Sequence, residues 1–181
     1  MKKYLLIFLA FFSCKKIDEN GFRIYTIKKD KHRSGWRYNT TRSNNFNIEV
    51  IFDESAQYTT DDPLNQYYVN KLWGVSDCGN DHHENSIRFG WRWLNDSLEI
   101  LWYKRQLGEF TFEKITSVNL NETINMSLSI KDDKYELTVN GVTKETSRAC
   151  SMDYKKYKLY PYFGGDEKAP HDITIRIKEN N

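Results

Sequence analysis

The sequence lacks the charge imbalance, the linkers and the long apolar runs that mark several common classes of protein. Its 181 residues carry 27 Lys and Arg against 25 Asp and Glu, a formal net charge of +2. That charge is too small to indicate a nucleic-acid partner, and no nucleic-acid-binding motif is present. No Pro/Gly-rich segment, internal repeat or low-complexity tract divides the chain. We therefore predict one domain, which is long enough to bury a substantial core.

Aromatic and small polar residues are abundant instead. Twelve Tyr and ten Phe, with many Asn, Thr and Ser and few helix-favouring runs, predict an all-β protein. About ten strand-like segments follow one another at intervals of roughly eight to twelve residues. The clearest hairpin lies between Ser86 and Arg105, where two strand-like runs flank an Asn-Asp turn, and Asn140-Gly141 marks another. This spacing predicts a β-sandwich or barrel.

The N-terminus resembles the signal peptide of bacterial lipoproteins. Residues 1–3 are basic at two positions, and residues 4–12 form an apolar stretch too short to span a bilayer permanently. Cys14 follows at the position of the lipidated cysteine in the lipobox. The match departs from the family pattern at Phe11-Phe12, where many lipoboxes carry Leu and a small residue.

This resemblance implies a signal peptide over residues 1–13, a tether over 14–20 and a folded domain over 21–181. Acyl chains such as palmitate on Cys14 would anchor the protein stably to a membrane, since several chains hold where one is marginal. Lys15, in place of an Asp after the cysteine, favours the outer membrane of the cell envelope. An ordinary secretory peptide or a membrane anchor is the alternative.

Two further cysteines remain, Cys78 and Cys150. Outside the cytoplasm such a pair is more often bridged than free, so we predict a disulfide. It would close a loop of roughly 70 residues and stabilise the fold by about 4 kcal/mol on the chain-entropy model. A metal site with His82 and His83 is the alternative, but the spacing does not match familiar zinc sites.

Two stretches resemble the concanavalin A-like jelly roll, the two-sheet antiparallel sandwich of legume-type lectins, many glucanases and several polysaccharide lyases. Residues 134–141 (Lys-Tyr-Glu-Leu-Thr-Val-Asn-Gly) are similar to a strand that ends in a tight turn at the sandwich edge. Residues 160–177 are similar to the last two strands, with Asp172 at the start of the closing strand. Residues 70–93 also look like a group of bacterial lipoproteins of this fold. The resemblance covers most of residues 65–178 and implies the fold, whereas fold does not imply function.

The enzyme motifs of that superfamily are incomplete here. Retaining glucanases carry a Glu-x-Asp-x-x-Glu run that sets two carboxylates about 5 Å apart, and this sequence has no such run. Alginate-lyase-like members carry Arg-x-Glu-Leu, Gln-x-His and Tyr-Phe-Lys runs. The first two are missing, and Tyr162-Phe163-Gly164 matches only the first two residues of the third. We therefore lean towards a non-catalytic protein.

Strand alternation predicts a glycan-binding face. If Leu159, Pro161 and Phe163 face the core, two tyrosines beside them face outward and can join side chains of the central hairpin. The predicted set is Arg88, Arg92, Glu99, Tyr103, Tyr160 and Tyr162. Arginine forks bind carboxylates or sulfates bidentately and tyrosines stack on sugars, so the set suits an anionic polysaccharide. The alternative is that the arginines and the glutamate form cross-strand salt bridges on a solvated sheet.

The leading hypothesis is a lipid-anchored, lectin-like accessory protein that binds carbohydrate. The first alternative is a lyase or hydrolase of an acidic glycan, with Tyr162 and His83 as candidate proton-transfer groups and Arg88 or Arg92 as the neutraliser of the substrate carboxylate. The second alternative is a structural or protein-interaction lipoprotein. An open groove where Arg, Tyr and His converge favours the enzyme, a shallow aromatic platform favours binding, and a face filled by its own loops favours the structural role.

A metal or other cofactor is not predicted, with one weak exception. Asp166 and Asp172, together with the carbonyls of Gly164-Gly165, form a candidate structural calcium site, because calcium takes six to eight oxygen ligands. His82 and His83 would point in opposite directions on an extended chain, which argues against a shared metal.

Overall fold

In the computed structural model, residues 17–35 and 37–180 are described. The predicted signal peptide and Cys14 lie outside these residues, so the anchor remains a prediction. Within the described part of the chain, no helix is long and apolar enough to cross a membrane.

The described residues form twelve strands and two short 3-10 helices. The strands are β1 Arg23–Ile27, β2 Thr40–Thr41, β3 Asn45–Phe52, β4 Asn70–Ser76, β5 Ser86–Leu94, β6 Ser97–Gln106, β7 Glu109–Val118, β8 Ile124–Ile130, β9 Lys134–Val139, β10 Val142–Ser147, β11 Lys156–Leu159 and β12 Ile173–Asn180; the helices are Glu54–Ala56 and Pro63–Tyr67. One antiparallel sheet has the order β1-β12-β3-β8-β9-β10, and the other has the order β2-β11-β4-β5-β6-β7. The predicted all-β, two-sheet sandwich is confirmed.

The core lies between the two sheets and follows the period-two pattern of the sequence. In β3, Phe46, Ile48, Val50 and Phe52 are buried while their neighbours are more exposed, which places one face inward. Residues 86–91 of β5 are buried on both faces. The outer face of this part of β5 is therefore covered as well as the face towards the core. The groove described below lies on that outer face.

The central hairpin pairs as the sequence predicts, and its register places the site. Asn95 and Asp96 have φ values of 51° and 55°, as a two-residue type I′ turn requires. The resulting register sets Arg88 of β5 opposite Tyr103 of β6. On the other side of Arg88 lies Gly74 of β4. A Cβ at Gly74 would lie 2.6 Å from the Cα of Arg88, so only glycine allows the two strands to approach here.

The predicted Cys78–Cys150 disulfide is present, with the two Cα atoms 5.7 Å apart. Beside it, Asp77 is fully buried and accepts hydrogen bonds from the Tyr135 hydroxyl at 2.8 Å and from Arg148 Nε at 2.6 Å. The disulfide and this ion pair together fix the start of the 77–85 connection, which carries both adjacent histidines to the rim of the groove.

Candidate functional site

A groove of about 600 Å³ lies on the outer face of the second sheet. Its central lining comes from Lys71 of β4, Arg88 of β5 and Tyr103 of β6. Phe110 and Phe112 of β7 lie at one side, and the other side is formed by β11 and the chain that follows it. The groove therefore crosses the strands and is open to solvent.

Positive charge is concentrated in this groove although the whole chain is nearly neutral. The described lining residues include six cationic side chains and one carboxylate, and these are Arg33, Arg37, Lys71, Arg88, Arg105 and Lys158 with Asp166. Lys158 also pairs with Glu179, and Arg37 donates to the Tyr25 hydroxyl, so two of the cations have partners on the sheet opposite. A cleft lined by one sign of charge attracts ligands of the other sign.

Arg88 is the most unusual of these groups. The residue is only 9% exposed, and its Nε atom has no hydrogen-bond partner among the described residues. Burial lowers the pKa of the guanidinium to about 10. A buried guanidinium nitrogen without a hydrogen-bond partner costs free energy, and an anionic group placed against it would offset that cost.

Lys71 lies beside Arg88 in the groove. Its ammonium donates to the carbonyl of Gly164 at 2.8 Å and lies 4.8 Å from the centroid of the Tyr103 ring. Burial, and then the charges of Arg88 and Arg105, lower the pKa of Lys71 to about 8. The groove thus contains an amine that loses its charge in mildly alkaline solution.

Tyr157 organises the rim of the groove. Its hydroxyl accepts from the backbone N–H of His82 at 2.8 Å, contacts His82 Nδ1 at 2.8 Å, and donates to Asp81 Oδ2 at 3.0 Å. Burial, followed by the charge of Arg88, lowers the pKa of His82 to about 4. His82 is therefore neutral at physiological pH.

The two histidines lie side by side, contrary to the expectation that they point in opposite directions. Their ring centroids are 4.1 Å apart. The expectation assumed an extended chain, whereas the Asp81 carbonyl accepts from the N–H groups of Glu84 and Asn85 and closes a turn. The side chain of His83 is exposed at the groove.

Two groups of described residues bring three metal-ligating side chains together. Asp81, His82 and His83 present ligand atoms within 4.8 Å of one another, although Tyr157 already engages the first two. The other group is Asp77, Cys78 and Cys150, in which the sulfurs form the disulfide. The calcium candidates form no such group within the described residues. The carboxylate of Asp172 instead binds Lys28 Nζ at 2.6 Å and the N–H of Lys29 at 2.9 Å.

The structure separates the predicted glycan-binding residues into two sets. Arg88, Tyr103, Tyr160 and Tyr162 line the groove. Arg92 and Glu99 are not among its described lining residues, because they pair with each other across the strands at 2.7 Å, and Glu99 also binds Lys114 at 2.7 Å. For that pair the structure has the cross-strand salt bridge that the sequence left open as the alternative.

The two tyrosines near the end of β11 have different surroundings, although alternation placed them together. Tyr160 stacks on Tyr25 of the opposite sheet at 5.6 Å, whereas Tyr162 stacks on His32 at 5.2 Å. Since β11 ends at Leu159, the strict alternation stops there. Leu159 consequently lines the groove and not the core, which corrects its predicted placement.

Several groove residues were not predicted from the sequence. Among them are Lys71, Tyr157 and the Phe110–Phe112 pair, all of which line the groove. Strand alternation places Tyr157 on the same face as Leu159, which was expected to face the core, so Tyr157 was not included among the outward-facing residues. No signal in the sequence identifies Lys71, because a bulge sets its orientation.

Comparison with known proteins shows the fold. No protein-family model and no curated protein sequence matches this chain. Similar solved structures include the alginate lyase AlyC3, with a TM-score of 0.61 and 10% identity over 91% of this chain and 76% of that chain. The fold of this chain is a concanavalin A-like jelly roll.

Two other similar structures agree with that assignment. The laminarinase catalytic domain from Thermotoga petrophila RKU-1 has a TM-score of 0.57 and 12% identity over 89% of this chain and 76% of that chain. The PL7 alginate lyase AlyA1 from Zobellia galactanivorans has a TM-score of 0.53 and 13% identity over 93% of this chain and 81% of that chain. The predicted jelly-roll fold is confirmed, and at these identities the likeness concerns the fold alone.

Proposed function

We propose that this protein binds an acidic polysaccharide in the groove, and that Arg88 pairs with a carboxylate or sulfate of the ligand. The buried, unpartnered Nε of Arg88 carries this proposal, because an anion would supply the missing acceptor and a bidentate partner for the fork. The excess of cations among the described lining residues supports it. A similar structure, of AlyC3, is a complex with dimannuronate.

Cleavage of that ligand by β-elimination is the second candidate, favoured by the convergence of Arg, Tyr and His in an open groove. In this reaction a base removes the proton at C5 of a uronate, and the C4–O bond breaks as a C4=C5 double bond forms. An acid then protonates the departing oxygen. Arg88 would neutralise the carboxylate. Tyr162 and the neighbouring pair His82 and His83 are the candidate proton-transfer groups. Retaining hydrolysis needs two carboxylates, whereas Asp166 alone is found among the described lining residues.

Calorimetric titration of the purified protein tests the proposal. The ligands are polymannuronate, polygalacturonate, a sulfated galactan and a neutral β-1,3-glucan, and each mixture is then followed by ultraviolet absorbance of the C4=C5 double bond. We expect binding to at least one acidic polymer and weaker binding to the neutral glucan. Rising absorbance would establish the lyase, and binding without it a non-catalytic receptor. Equal affinity for neutral and acidic polymers would contradict the proposal.

The charge of Lys71 predicts how binding depends on pH. Above about pH 8 the folded protein loses this charge, so we expect affinity for an acidic polymer to fall about tenfold towards pH 9.5, and Lys71→Met to abolish that fall.

The effect of the same group on the free energy of unfolding has the opposite sign. The unfolded chain keeps the proton up to about pH 10.4, so this group makes unfolding less favourable as pH rises between the two values. Urea midpoints across this window check the sign.

The lipid anchor belongs to the same functional proposal. Acylated Cys14 would anchor the protein to the outer membrane, where the groove could bind polysaccharide close to the membrane surface. We expect Cys14→Ser to move the protein from the membrane fraction to the soluble fraction and to remove the mass of the acyl chains. Unchanged membrane attachment and mass in this variant would contradict the anchor and leave the groove proposal intact.

A further inference from the structure

Two phenylalanines on β7 have exposed side chains, and this exposure does not stabilise the folded domain. Phe110 is 53% and Phe112 is 41% exposed, and β7 is an edge strand of the second sheet. Exposed apolar side chains on an edge strand forgo the free energy of burial and invite unwanted pairing with other chains. Their position therefore requires an explanation other than the stability of the fold.

These side chains extend the groove towards the sheet edge. In the β6–β7 register, Phe112 lies opposite Tyr103, and Phe110 lies opposite Arg105. Side chains two apart share a face of a strand, and all four of these residues line the groove. Glu113, the residue after Phe112, instead pairs with Lys144 of β10 at 2.7 Å, so it is directed towards the other sheet. The phenylalanines are thus part of the groove wall.

The three aromatic rings are nearly parallel. The rings of Tyr103 and Phe110 have centroids 5.9 Å apart and an angle of 12°, and those of Phe110 and Phe112 have centroids 6.4 Å apart and an angle of 6°. The Arg105 guanidinium lies 5.6 Å from the Phe110 centroid. The polarity of the groove lining therefore decreases from the buried cation Arg88, past Tyr103, to the two phenylalanine rings at the sheet edge.

We propose that Phe110 and Phe112, supported by the buried ring of Tyr103, form a stacking subsite for the C–H face of a pyranose ring next to the sugar whose anion pairs with Arg88. This inference rests on the proposed function and narrows its ligand. The polymer carries an acidic group on one sugar and presents an unsubstituted apolar ring face on a neighbouring sugar. A glycan sulfated on both faces of every sugar fits this wall poorly, because an anion would be placed against apolar rings without a hydrogen-bond partner.

A sugar fits the wall better than a protein partner does. The rings continue directly into the cationic groove, whereas a stable protein interface needs about 1,200–2,000 Å² of total buried surface. Two phenylalanines and a mostly buried tyrosine offer only a small fraction of that area. Aromatic side chains also supply rigid contact area at low entropic cost.

The test combines aromatic variants with a salt series in the full-length protein, using a polymannuronate oligosaccharide as the probe. We expect Phe110→Ala and Phe112→Ala each to weaken binding about tenfold. The dependence of affinity on salt should stay unchanged because no charge is lost, and Phe112→Tyr should restore most of the affinity. Val142→Ala is the matched control, since Val142 is 42% exposed on the edge strand β10 of the other sheet, and it should leave binding unaltered.

The outcomes separate this inference from the proposed function. If the alanine variants bind normally while an Arg88 variant does not, the stacking subsite is wrong and the anion site stands. If these variants change the sedimentation coefficient and not the glycan affinity, the wall is an interface between protein chains, and the inference is overturned. If the unaltered protein binds no acidic glycan, the proposed function fails first and the subsite with it.

Discussion

Arg88→Met is expected to weaken binding of an acidic polysaccharide about 100-fold, the lower part of the range for a buried, hydrogen-bonded charge pair. In the free protein this guanidinium is buried, its Nε lacks a partner among the described residues, and burial lowers its pKa to about 10. The ligand anion would therefore bind a donor that is already desolvated and held in place. Methionine preserves much of the side-chain volume but removes the charge and all donors. Calorimetric titration of both proteins with the same polymer measures the change.

The same substitution should leave the free energy of unfolding unchanged or raise it, which is unusual for a buried position. Replacing a buried ionic group by an apolar side chain of similar volume is often neutral or stabilising, and here no partner among the described residues loses a hydrogen bond to Nε. A stable, folded variant that has lost binding would show that Arg88 serves ligand binding and does not stabilise the fold. Urea denaturation of both proteins provides that second measurement.

Arg92→Met is the matched control, because Arg92 lies four residues further along the same strand and on the same face. Its Nε is already bound to Glu99 at 2.7 Å, so its charge is neutralised within the protein. We expect a change in affinity of less than about threefold, since paired charges near a surface contribute little. Equal losses in both variants would mean that binding depends on net charge alone. An unchanged affinity in Arg88→Met would exclude the anion site.

The central hairpin could be predicted from the sequence because its turn and its alternation agree. Asn95-Asp96 sets the register, and that register fixes the pairing of Arg88 with Tyr103 and of Arg92 with Glu99. Alternation alone could not decide which of the two arginines lies in a groove. That choice depends on the chain segments that build the walls, and these come from β7 and from residues that follow β11.

Lys71 shows why the rest of the groove could not be predicted. Lys71 and Trp73 are two residues apart, so a regular strand would place both on one face. The structure has a register shift between them in the β4–β5 pairing, and Trp73 is buried in the core while Lys71 lines the groove. A bulge adds one residue and reverses the alternation beyond it. Its position depends on the neighbouring strand, which a single strand sequence does not contain.

The orientation of His82 and His83 in the 77–85 connection was predicted wrongly for a related reason. The disulfide of that connection could be predicted by counting cysteines, but the partners of the residues beside it could not. Asp77 meets Arg148 and Tyr135 across more than 55 positions of the chain, and Tyr157 reaches His82 over 75 positions. Such pairings depend on the two sheets having already assembled, so local sequence patterns contain no signal for them.

Asp77→Ala is expected to lower the free energy of unfolding by about 3–5 kcal/mol, the cost of leaving a buried charge without its partner. Asp77 is fully buried, and its carboxylate accepts from Arg148 Nε at 2.6 Å, from Arg148 Nη2 at 3.1 Å and from the Tyr135 hydroxyl at 2.8 Å. The Arg148 side chain is itself only 3% exposed, so water cannot replace the lost carboxylate. Urea unfolding followed by tryptophan fluorescence measures the loss.

Glu145→Ala is the control for a charge pair, because Glu145 binds Lys134 at 2.8 Å with half of its side chain exposed, and solvent screens such pairs. We expect a far smaller change there. A comparable loss in the two variants would contradict the dominant role of burial at Asp77. The Asp77 variant should also lose glycan affinity, although less than Arg88→Met does. Asp77 begins the connection that holds Asp81 and His82 against Tyr157, so the rim of the groove depends on an ion pair whose residues are not among the described lining of the groove.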